Sequence, residues 1–190
     1  MLKVSILVGN PKAKSRTLRV AEVLVGKLVG SAAVEITVID LADHAGQIFD
    51  WPSDHMASLT QTVAESDLLV VASPTYKATY TGLLKSFLDR YPANGLRGVT
   101  AIPVMTGADL SHSMGPEVNL RPLLVELGAS VPTRGLYFVA SQMDHLDEIV
   151  GEWAADNAAA LLGLNPFLAA ESAAHSSSSG SETVSEGASL

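Results

Sequence analysis

The chain has 190 residues, 47% of them apolar and 17% charged, a composition that suits one packed globular domain and not a disordered chain. A formal net charge of −8 argues against a general nucleic-acid binder, which needs clustered Lys and Arg, but leaves room for a local basic loop holding one phosphate. Cysteine is absent, which excludes disulfides, thiolate chemistry and Cys-based metal sites.

The opening MLKVSILVG runs straight into a strand pattern, without the charged region and small-residue cleavage site of a signal peptide. No apolar run approaches the ~20 residues that span a bilayer. The cytoplasm is the expected compartment.

In chain order, the first predicted strand covers residues 3–9. A helix over 15–30 comes next, with Leu18, Ala21, Val25 and Leu28 three to four residues apart. VEITVID (34–40) is the second strand, and a weaker helical pattern covers 55–66. DLLVVAS (67–73) is the third strand, before a helix over 81–90 that Pro92 stops. VTAIPVMT (99–106) is the fourth strand and a helix is expected over 117–127. RGLYFVA (134–140) is a fifth, weaker strand before a helix over 144–162. Near-continuous Val, Ile and Leu marks strands buried on both faces, as in a parallel sheet. Alternating strand and helix implies right-handed crossovers and a doubly wound α/β/α domain over 1–164, with strand order 2-1-3-4-5. From residue 165 the chain is Ala, Ser, Gly and Glu, with an unbroken serine run at 176–179. This tail, 165–190, is expected to be disordered, having too little apolar surface to offset its ordering entropy.

Three loops at carboxyl ends of strands could carry chemistry, since open α/β sheets bind ligands there. GNPKAKSRT (9–17) leads from a strand into a helix. Gly9 is expected to permit a sharp turn, Ser15 and Thr17 place hydroxyls at the helix start, and Lys12, Lys14 and Arg16 add positive charge where free N–H groups already favour an anion. The loop is neither GxGxxG nor GK[ST]. A phosphate site and a plain helix cap at Ser15 both remain open. SPTYKATYTG (73–82) begins at the end of strand three: Pro74 stiffens it, and Tyr76 could stack on a planar ring or simply pack under the loop. Thr106-Gly107-Ala108-Asp109 lies at the end of strand four, where Gly107 allows close backbone approach or makes an ordinary turn. His44, His55 and His112 lack metal-ligand spacing, and Asp40, with no GxGxxG upstream, is not assigned to a ribose.

The patterns GNPxxxSRT and SPTYKATYTGLLKSFLD together resemble the NAD(P)H-dependent FMN reductase family of flavodoxin-like proteins, within it most closely the reductases that supply reduced FMN to alkanesulfonate monooxygenases. The resemblance covers residues 2–162. It implies a flavodoxin-like fold, FMN and NADPH or NADH as cofactors, and a flavin-dependent monooxygenase as partner. It places the phosphate loop on Asn10, Ser15, Arg16 and Thr17, the isoalloxazine loop on Pro74, Thr75, Tyr76 and Lys77, and a third flavin-contacting loop on Thr106, Gly107 and Ala108. Asn10 stands where the family usually has serine and Ala108 where a second glycine is common. In the alkanesulfonate branch an inserted tyrosine makes a π-bulge at a subunit interface; Val118 occupies that place here.

A hydride passing from nicotinamide C4 to flavin N5 needs two stacked rings and no protein acid, base or nucleophile, so no side chain is assigned a catalytic role and no metal is expected. The alternatives are a tightly bound flavin reducing quinones, azo compounds or metal oxyanions, and a flavodoxin-like electron carrier. The apolar residues Leu83, Leu84, Phe87, Leu88, Leu123 and Leu124 exceed one helix stripe and predict a homodimer or homotetramer.

Overall fold

The computed structural model describes residues 1–162. The tail expected to be disordered lies outside the described residues. Five parallel strands, β1 (Leu2–Val8), β2 (Val34–Asp40), β3 (Leu68–Pro74), β4 (Thr100–Gly107) and β5 (Leu136–Val139), form one sheet in the order β2-β1-β3-β4-β5. The helices are α1 (Arg16–Val29), α2 (Asp54–Ala64), α3 (Gly82–Leu88), α4 (Arg121–Glu126) and α5 (Leu146–Leu162). The expected flavodoxin-like α/β fold and strand order are therefore present.

The central strands are apolar throughout because both faces are covered. Successive side chains point to opposite faces. Val4, Ile6, Val8, Val70, Ala72, Ile102 and Val104 join α1 and α5 in one core cluster. Leu7, Leu69, Val71, Ala101 and Met105 join α2, α3 and α4 in the other. β2 lies at the edge, alternates apolar with polar residues, and leaves the apolar Ile36 and Val38 partly exposed.

Local chemistry sets the helix boundaries. The Ser15 hydroxyl accepts from the Leu18 N–H at 3.2 Å, starting α1, and Gly30 ends it at φ 54°. Thr81 starts α3 in the same way, accepting from the Leu84 N–H at 3.1 Å. Asp40 and Asp109 open two short 3-10 segments absent from the sequence prediction, Leu41–Gln47 and Leu110–His112, by accepting from backbone N–H groups two residues on.

The helix expected over 117–127 is not continuous. It opens with a π-helical turn, Pro116–Leu120, closed by the Arg121 N–H donating to the Pro116 carbonyl, before α4 begins. The Glu117 carboxylate bridges this turn to the segment that enters β5. It accepts from Arg121 Nε at 2.5 Å and from the Gly135 N–H at 2.5 Å, while the same guanidinium donates to the carbonyls of Val131 and Thr133. Val118 sits in the π-helical turn, 59% exposed.

The apolar residues from which a homo-oligomer is expected are mostly core. Leu84, Phe87, Leu88 and Leu124 are buried within the chain, and Leu83 and Leu123 pack against them. α3 and α4 close over one sheet face, and that face absorbs the apolar excess. The exposed large apolar side chains of this region are Leu110, Met114, Val118 and Val125.

Candidate functional site

The three loops converge. A cavity of about 410 Å³ opens at the carboxyl ends of β1, β3 and β4, within the size range of small-molecule sites. Every residue of the expected site lines it except Lys77: Asn10, Ser15, Arg16, Thr17, Pro74, Thr75, Tyr76, Thr106, Gly107 and Ala108. Lys12, Lys14 and Ala140 line it as well. In the sequence the two lysines signal only loop charge. Ala140 carries no signal, because it contributes through the position of its backbone at the end of β5.

The first loop is braced from within. The Asn10 side chain accepts from the Lys12 N–H at 2.9 Å and donates to Thr17 Oγ1 at 3.1 Å. Thr17 Oγ1 in turn meets Thr106 Oγ1 at 2.8 Å, tying the first loop to the third beneath the cavity floor. All three side chains are buried. The Ser15 oxygen caps α1 by accepting from the Leu18 N–H, and the residue lines the cavity. Arg16 donates to the Ala140 carbonyl at 3.0 Å, which holds its guanidinium at the cavity wall.

Gly9 differs from expectation in its reason. Its backbone is not left-handed. A Cβ there would lie 2.4 Å from Leu84 Cβ, so glycine is required by the close approach of α3, which the Thr81 hydroxyl reinforces by donating to the Gly9 carbonyl. Gly107 also makes room, though for the protein itself: a Cβ would fall 1.8 Å from the Tyr137 hydroxyl, which donates to the Asp109 carbonyl at 2.8 Å. Tyr137 thus clamps the third loop, a role with no local sequence signal.

The second loop is a tight turn. Tyr76 and Thr79 exchange backbone hydrogen bonds, and Lys77 and Ala78 adopt φ of 52° and 72°. Two successive left-handed residues normally call for Asn-Gly, so a Lys-Ala pair stores strain here. Asn119, from the π-helical turn, supports it by donating to the Ala78 carbonyl at 3.1 Å. The turn carries Lys77 away from the cavity lining and leaves Tyr76, 51% exposed, as a wall. Thr75 Oγ1, at the base of the turn, is buried without a hydrogen-bond partner, an arrangement that a polar ligand edge would relieve.

The lining contains three cations and no carboxylate or imidazole. His112 stands outside it on the 110–112 segment. His44 and His55 meet each other instead, with Nδ1 and Nε2 3.0 Å apart. Burial, then the neighbouring His55, lowers the His44 pKa, against the opposing pull of Asp43 and Asp40. Among the described residues no group of three or more His, Asp or Glu side chains could hold a metal ion, and no helix is long and apolar enough to cross a membrane.

The chain is similar in sequence and fold to known proteins. The chain is 32% identical over 147 residues to the FMN reductase (NADPH) of Escherichia coli K12, covering 75% of each chain. It is 33% identical over 183 residues to the NADH-dependent FMN reductase SfnF of Pseudomonas fluorescens Pf0-1, covering 88% of this chain and 96% of that one. Its fold superposes on the apo crystal structure of the NADH:FMN oxidoreductase EMOB with a TM-score of 0.72 at 26% identity, over 82% of this chain and 90% of that one. The family model described as NADPH-dependent FMN reductase matches residues 2–144, and the chain belongs to that family.

Proposed function

We propose that this protein is an NAD(P)H:FMN oxidoreductase that binds flavin in the three-loop cavity and releases it reduced to a flavin-dependent monooxygenase. The observation that carries the reading is the polarity of that cavity. At one end lie the amino terminus of α1, the Ser15 hydroxyl and the cations Lys12, Lys14 and Arg16, in a chain whose net charge is −8. This suits a phosphate dianion. At the other end the Pro74–Tyr76 segment and Thr106–Ala108 form a wall with one orphaned hydroxyl at Thr75, which suits the polar edge of a flat heterocycle.

Bound FMN supplies the redox chemistry, taking a hydride from NAD(P)H. The chain's own work is then to bind and orient. The first loop fixes the phosphate, and the Tyr76 side presents an open face for a second ring; hydride transfer between stacked rings calls for no carboxylate or imidazole, and the lining carries neither. Asn10 spends one amide proton on Thr17 and keeps the other for a phosphate oxygen, and Thr17 serves mainly to hold the loops together. The exposed apolar residues Met114, Val118 and Val125 lie in and beside the π-helical turn and α4, which supports a homo-oligomer assembled through that region.

The test mixes purified protein with NADPH or NADH and FMN and tracks the nicotinamide absorbance. FMN-dependent loss of that band is expected, and its absence with both nucleotides would overturn the proposal. Light scattering checks the oligomer, with Val118→Glu expected to shift it toward monomer.

A further inference from the structure

Asp40 lies outside the cavity, at the carboxyl end of β2, and is 7% exposed. Its Oδ2 accepts from the backbone N–H of Lys14 at 3.0 Å, across 26 residues of chain, and its Oδ1 accepts from the Ala42 N–H at 3.4 Å. Lys14 is held at φ 52°, a left-handed conformation unfavourable for a residue with a Cβ. The parallel register places Asp40 opposite Val8, so β2 ends where the first loop departs from β1.

We infer that Asp40 is a positioning residue for the flavin phosphate: its buried carboxylate anchors the Lys14 N–H and so holds the 10–15 segment in the shape that receives a phosphate. The inference rests on the reading of this loop as the phosphate end of the FMN site.

The physical case has two parts. Left-handed backbone at a lysine reverts to ordinary conformations unless its surroundings hold it, and the hydrogen bond to Asp40 supplies such a hold from outside the loop. Asn10 and Thr17 brace the loop at its start and end, through Lys12 and Thr106. Asp40 braces the stretch between them, where Lys12 and Lys14 bring their charge to the cavity. A carboxylate beside a phosphate-binding loop is electrostatically adverse, and occupation of both Asp40 oxygens by backbone donors offsets this. His44, on the 3-10 segment that Asp40 opens, is the titratable neighbour on its other side.

The experiment measures the dissociation constants of FMN and riboflavin, which differ only in the phosphate, by flavin fluorescence quenching. Asp40→Ala should weaken FMN about tenfold, the worth of one charge-assisted hydrogen bond, while riboflavin binding stays within about twofold. Asp40→Asn keeps a carbonyl acceptor for the Lys14 N–H and should restore most of the FMN preference. Unchanged riboflavin binding in both variants shows that they fold. Equal weakening of both flavins would make Asp40 merely structural and overturn the inference, as would an unaltered FMN preference in Asp40→Ala or an Asn variant as impaired as Ala. A wild-type protein that binds FMN no better than riboflavin would overturn the underlying phosphate-loop reading instead.

Discussion

The two ends of the cavity are built on opposite principles. At the first loop, the side chains of Asn10, Thr17 and Thr106 form a buried chain of hydrogen bonds, and Asp40 adds an anchor from β2. At the second loop, Tyr76 is half exposed, Lys77 and Ala78 are strained, and Thr75 Oγ1 has no partner. A small polyanion is best held by donors that are already fixed, because every rotor left to freeze weakens binding. A flat ring that must admit a second flat ring needs the reverse, an accessible face with little over it. The difference shows where rigidity is useful in a site proposed to work by stacking two rings.

Four substitutions test that contrast. The largest effect is expected for Gly107→Ala, which pushes a methyl group into the Tyr137 hydroxyl and displaces the tightest point on the ring side. Overpacking of this kind costs about 1–3 kcal/mol, and if that cost falls on the binding loop kcat/KM for FMN should fall about fivefold to a hundredfold in steady-state assays. If activity is unchanged, the third loop yields as readily as the second and Tyr137 does not clamp it.

Glu117→Gln removes the charge that ties the π-helical turn, and through Asn119 the strained 76–79 turn, to the segment before β5. The hydrogen bond from Arg121, and less so that from the Gly135 N–H, holds the Glu117 carboxyl below the usual carboxylate range against the opposing effect of partial burial. A depressed folded-state pKa gives stability that is present above about 4.5 and lost as pH falls through the folded value. Denaturant melts should therefore show the variant about 2 kcal/mol less stable at neutral pH. The gap should narrow on acidification below that range.

Thr17→Val keeps the shape of the hub but strips its hydroxyl, leaving Asn10 and Thr106 without their shared partner. Loss of these two buried hydrogen bonds, about 1 kcal/mol each, should raise KM for FMN up to about thirtyfold with kcat little changed. The smallest effect belongs to Ala78→Gly, which relieves a φ of 72°. Thermal melting should show stability unchanged or raised by less than about 1 kcal/mol. A clear loss would mean that the turn is held by packing of the Ala78 methyl and is not strained.

Whether a feature is legible in the sequence depends on how far its determinant reaches along the chain. The strand runs and the helix starts at Ser15 and Thr81 are local: apolar runs report burial on both faces, and a capping hydroxyl acts on a backbone N–H three residues away. The meeting of the loops is legible because a doubly wound sheet brings strand ends together whatever their distance in sequence. The place of Lys77 is not, because its neighbours predict a loop but not the left-handed turn that swings it out of the lining.

The sequence by itself determined the layers, the strand order and the meeting of the loops after strands one and three, since periodicity and crossover handedness depend only on neighbouring residues and chain chirality, while the family resemblance implied the third loop. Only the tertiary structure decided what holds those loops. Asp40 reaches Lys14, Tyr137 fills the space beside Gly107, Asn119 supports Ala78, and Leu84 rather than a turn demands glycine at position 9. Each of these is a contact between residues far apart in the chain, and it exists only once the sheet has fixed the distance between them.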